Sequence, residues 1–143
     1  MKHLPAKSEA LLTAYIRKMA DLVGLKDWTI TFDAESWTEG DNNATCVIHY
    51  AQRLAKVAIC SDFDEYTRDE QRQTLVHELI HCHADTWSGF VDNDLIQNLT
   101  TGDTQKAFRS VNNRMMEMLV DNIASAIAEL LPLPPWSQLN VED

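Results

Sequence analysis

Apolar residues near the start of the chain recur at three- and four-residue intervals: Leu11, Leu12, Tyr15, Ile16, Met19, Leu22 and Val23, with Gly24 behind them. That spacing puts them on one side of a helix from about Ala6 to Val23, which Gly24 would end. The rhythm then changes. Trp28 to Phe32 alternates apolar residues with Thr, Thr45 to Tyr50 follows the turn-rich run Gly40-Asp41-Asn42-Asn43, and Leu54 to Cys60 sets Ala55, Val57 and Ile59 on one face. A period of two over such short runs predicts three strands, read here as a small antiparallel sheet.

Thr67 opens the next helix. Glu70 stands three residues on and Asp69 beside it, the arrangement of a capping box with acids at the positive end of the helix dipole. This helix is expected to reach about Asp85. Trp87 to Thr104 reads as a polar, turn-prone connection, and Gln105 to Leu131 as a long helix stopped by Pro132. Its expected core stripe is Phe108, Val111, Met115, Leu119, Ile123, Ala126 and Leu130. The order helix, three strands, helix, loop, helix segregates strands from helices and predicts an α+β fold. Residues 1–143 are read as one domain with a short proline-rich tail at 132–143, in which Trp136 covers the core.

The composition narrows the classes. A chain of 143 residues, 45% apolar and 24% charged, suits one core and is too short for two. No apolar run approaches the roughly 18 residues a membrane helix needs, so no membrane association is expected. Twelve basic against 22 acidic residues leave a net charge of −10, which argues against a general grip on nucleic-acid phosphates. Cys46, Cys60 and Cys82 are odd in number and far apart, so a disulfide framework is not expected and a reducing cytoplasm is.

Within the second long helix stands His77-Glu78-Leu79-Ile80-His81, the HExxH pattern. Four residues turn a helix by about 400°, so both imidazoles leave the same side and can hold one Zn²⁺, with Glu78 one position round. Leu75, Val76, Leu79, Ile80 and His83 form the apolar stripe, and the two histidines of the motif lie roughly opposite. Histidines meant only for packing would fall inside that stripe. His83 does, and is read as a packing residue; Asp85 shares the ligand face a turn further on and is left out of the ligand set.

A catalytic zinc usually takes three protein ligands and keeps one position open. Glu117 and Asp121, one turn apart on the last helix, stand away from its expected stripe, with Ala124 and Ala128 nearby to permit close helix approach. Glu117 is the expected third ligand. Asp121 would accept the free ring N–H of a ligand histidine, fixing its tautomer and raising its basicity. The plainer reading of these acids is a solvated face, on which carboxylates four apart repel weakly.

His77-Glu78-Leu79-Ile80-His81 followed by Glu117-Met118-Leu119-Val120-Asp121 resembles the HExxH-plus-ExxxD pattern of the gluzincin metallopeptidases. The short chain with three strands before the motif looks like the minimal gluzincins, a size class that includes proteins of phages and mobile elements. Leu130-Leu131-Pro132 is more loosely similar to the end of the last helix in the prophage-repressor-cleaving peptidases. The likeness spans about Trp28 to Pro132 and has departures. Met116 stands where thermolysin-type enzymes carry Asn, and no Tyr or His for the oxyanion is identifiable. Ala84 and Trp87 replace the Gly and His of metzincins, and no histidine follows His83 to match the Spartan-type DNA-repair proteases.

The resemblance implies a zincin-like fold, Zn²⁺ as cofactor, and hydrolysis of a protein or peptide substrate by a metal-activated water, with Glu78 as catalytic general base. The alternative from another class is a noncatalytic, zinc-stabilised protein-binding module of a phage or mobile element. Substrate is expected to add as a strand to an open sheet edge, taken here as Leu54 to Cys60; the competing reading makes that segment the central strand.

Overall fold

In a computed structural model that describes residues 6–33, 44–60 and 62–137, the elements run α1 (Ala6–Leu22), β1 (Thr29–Phe32), β2 (Ala44–His49), β3 (Leu54–Ile59), α2 (Arg68–Phe90), α3 (Gln97–Leu99) and α4 (Gly102–Ala128). The architecture is α+β, as the segregated pattern predicts. Gly40 to Asn43, the expected turn, lies outside the described residues. Gly24 ends α1 at φ +87°, where a residue with a Cβ would be strained, and Leu25 N–H closes the helix on the carbonyl of Ala20 at 2.8 Å. The capping box of α2 is complete: Glu70 N–H donates to the Thr67 hydroxyl at 3.3 Å, and Thr67 N–H to the Glu70 carboxylate at 2.8 Å.

The sheet is mixed, not antiparallel. Its order is β1-β3-β2, with β3 parallel to β1 and antiparallel to β2. A tight turn at Tyr50–Gln52, closed by Arg53 in a left-handed conformation, makes β2 and β3 a hairpin. β1 then joins the far side of β3. Alternation in a sequence reports which face a residue takes and says nothing about neighbours, so the error arises there. It also overturns Leu54 to Cys60 as the open edge, because that segment is the central strand.

The core forms where α1 and α2 meet this sheet. Leu12, Ile16 and Met19 from α1, Val57 from β3, and Leu75, Val76 and Leu79 from α2 are all at most 1% exposed. His83 is not in this core. It is exposed, and its Nε2–H donates to the carbonyl of Val23 at 2.8 Å, tying α2 to the end of α1. The tail also belongs to the packing. Trp136 is 5% exposed, stacks edge-to-face on Tyr15 at 5.2 Å and donates its indole N–H to Gln71 at 2.9 Å. Arg68 and Arg72 on α2 hold the carbonyls of Pro134 and Leu131, each at 2.9 Å.

Two expectations about the last third of the chain are corrected. The stretch from Trp87 to Thr104 is mostly helical: α2 runs to Phe90, a π-helical segment covers Val91–Ile96, and the reversal comes only at extended Thr100 and Thr101. Its polar residues are the solvent side of a helix, with Ile96 buried and Asp92 paired to Arg109 of α4 at 2.6 Å. Secondly, α4 buries Met116, Val120, Ala124 and Ala128, while Phe108, Val111, Met115, Leu119 and Leu130 stay exposed. Small residues let helix axes approach most closely, so α4 docks on α2 through its alanines and leaves its larger apolar residues outside. Among the described residues, no helix is long and apolar enough to cross a membrane.

Candidate metal centre

His77 and His81, one turn apart on α2, face α4 with their Nε2 atoms 3.1 Å from each other. Glu117 on α4 reaches between them, one carboxylate oxygen 3.6 Å from Nε2 of His77 and the other 3.6 Å from Nε2 of His81. Ligand atoms bound about 2.0–2.1 Å from a tetrahedral zinc stand about 3.4 Å apart, and the two ring nitrogens and the carboxylate oxygens facing them are spaced close to that. The three residues could hold a metal ion, and two imidazoles with a carboxylate are a donor set that suits zinc.

The outer ring nitrogens strengthen that reading. Nδ1 of His77 lies 2.9 Å from Asp121, and Nδ1 of His81 lies 3.4 Å from Asp85. A carboxylate only accepts, so each Nδ1 donates to one, and a neutral ring with its proton there keeps a lone pair on Nε2. Two lone pairs and a carboxylate then point at one another, an arrangement that calls for a cation. Burial disfavours the charged form of His81, yet Asp85, Glu117 and Glu78 outweigh it and raise its pKa.

Each residue that the sequence singles out is found at this cluster. His77, His81 and Glu117 converge, Asp121 backs His77, and Glu78 lies in the same cleft, 7% exposed. Burial pushes the Glu78 carboxyl up to about 7, with the Glu117 and Asp85 charges adding to the rise and His81 opposing it. Asp85, set aside as a ligand in the sequence reading, is the partner of His81. Its signal was the i, i+4 step from His81, the same spacing that relates Asp121 to Glu117.

The cleft holds about 640 Å³ and runs from the histidines along α2 past Asp85 to Gly89. Opposite α2 its wall is β2, contributed by Ala44, Thr45, Cys46 and Ile48. That strand pairs only with β3 among the described residues, so the open sheet edge borders the site. Tyr50 closes the far end. A Cβ on Gly89 would lie 2.9 Å from Cε1 of its ring, so the glycine is what admits this tyrosine against α2. Comparisons with family models, with curated proteins and with solved structures return no match.

Proposed function

We propose that this protein is a zinc-dependent metallopeptidase of the gluzincin kind, with His77, His81 and Glu117 as metal ligands, Glu78 as general base, and Asp121 and Asp85 as the residues that orient the histidines. The observation that carries the reading is the pair of ring nitrogens 3.1 Å apart, each 3.6 Å from an oxygen of the Glu117 carboxylate, beside the buried Glu78 in a cleft bordered by an open strand. When bound, zinc supplies Lewis acidity for the scissile carbonyl and for water. The protein's own residues do the rest.

Glu78 accepts a proton from the attacking water on its carboxylate and delivers it to the departing amine, so one water is consumed for each peptide bond broken. Its burial keeps the carboxylate poorly solvated, which raises its proton affinity above that of an exposed glutamate and suits a base that must also act as an acid. The outer edge of β2 offers main-chain donors and acceptors to an extended peptide, which would add to the sheet as a fourth strand.

The test is cleavage of a diverse peptide mixture by the zinc-loaded protein and by zinc-loaded Glu78→Gln. The amide keeps shape and removes the proton acceptor, so hydrolysis should fall by about 10²- to 10⁴-fold with zinc content unchanged. Equal cleavage by both proteins would remove Glu78 from the reaction. Zinc binding with no cleavage by either would favour the noncatalytic binding module instead.

A further inference from the structure

Helix α4 is buried along one line only, that of Met116, Val120, Ala124 and Ala128. On a separate face Phe108, Met115, Leu119 and Ile123, with Leu130 just past the helix end, remain 37% to 83% exposed. At 100° per residue these five lie within about 40° of Leu119, with Asn112 and Ala126 between them; no charged residue falls among them, and Asn112 turns its amide to Ser88 of α2 at 3.0 Å. Glu117 and Asp121 point to the opposite side. Water therefore meets a long apolar stripe that the metal site does not use.

We propose that this stripe pairs antiparallel with the same stripe of a second copy of the chain, about a two-fold axis beside Leu119. A two-fold interface requires a surface complementary to itself, in which residue i meets j and j meets i. The stripe has that property. Its intervals from Phe108 through Met115, Leu119 and Ile123 to Leu130 are 7, 4, 4 and 7, the same in both directions. Reversing the helix about Leu119 sets Phe108 opposite Leu130, Met115 opposite Ile123, and Leu119 opposite itself.

The relief of the surface matches as well. At the start of α4 an apolar groove of about 390 Å³ opens between Leu95 and Leu99 on one side and Phe108, Val111 and Met115 on the other. At the far end Leu130 stands out, 83% exposed. Antiparallel pairing drops the Ile123 and Leu130 end of each chain into the groove of the other, twice over. Fully covered, the stripe together with Leu95, Leu99 and Val111 of the groove would remove at most on the order of 800 Å² per chain, the scale that a standard specific interface takes from each partner. The bordering clefts at the histidines stay open, because they lie on the other face of α4.

Interfaces of this size hold with a Kd of about 1 μM or tighter, so sedimentation well above that concentration should show twice the 16.3 kDa of one chain. Leu119→Glu places two like charges on the axis and should weaken association about 100-fold or more while leaving helix content unchanged, since residue 119 is already half exposed. Leu119→Cys should form a covalent dimer under mild oxidation, well beyond the background of the wild-type thiols. A monomeric wild-type protein would overturn the proposal and leave the stripe to another partner. A Leu119→Glu protein as dimeric as the wild type, or a Leu119→Cys protein that does not cross-link, would overturn it too.

Discussion

Glu78 is a carboxylate held where charge is costly. Without metal its pKa is pushed from an ordinary 4.5 to about 7, mainly by burial. The folded chain then binds a proton that the unfolded chain has already released. Stability from this group is therefore complete below about pH 4.5 and is lost as the pH rises through 7. Metal-free Glu78→Gln, which never ionises, should be more stable than the metal-free wild type at pH 8, by on the order of 3 kcal/mol, and the gap should close toward pH 5. Thermal melts at both pH values check this; a gap independent of pH would contradict it. The two aspartates behind the histidines act differently, by holding each ring in one tautomer. Asp121→Asn and Asp85→Asn should each lower zinc affinity by about 10- to 100-fold, measured by competition with a chelator. Asp121 was legible in the sequence because Glu117 stands four residues before it. Asp85 was placed on the ligand face but weighed only as a ligand, not as a partner for the outer nitrogen of His81 four residues before it.

The helices show where sequence pattern informs and where it misleads. α2 was readable from its capping box and from the apolar stripe of Leu75, Val76, Leu79 and Ile80, since both signals are local. The face of α4 was readable only in part: Ala124 and Ala128 were marked as the residues of close approach, while the core stripe was put on the other side. Its largest apolar residues suggest one side, but the helix docks through Ala124 and Ala128, at most 1% exposed, because close approach to α2 is what carries Glu117 to the histidines. Ala124→Leu puts a larger side chain at that contact and should cost about 1–3 kcal/mol, by moving α4 outward. With every ligand intact, zinc affinity should drop together with the melting temperature. Unchanged zinc affinity in this variant would show that α4 does not set the ligand distance. Strand order was equally out of reach, since pairing of β1 with β3 depends on contacts between segments far apart in the chain.

Across the whole molecule, the site exists only because the fold closes it. The two histidines come with one helix, whereas Glu117 lies 36 residues beyond His81 and arrives through packing of α4 on α2. The tail contributes from the other end of α2, where Trp136 and the carbonyls of Leu131 and Pro134 fix the chain that leaves α4. A centre assembled in this way should bind metal as a unit, failing when any one of its three ligands is removed. The most direct measurement is the zinc content of the purified wild-type protein beside His77→Ala, His81→Ala and Glu117→Ala. About one zinc per chain is expected in the wild type and a large loss in each variant. Zinc absent from the wild type, or present equally in all four proteins, would contradict the assignment of this centre.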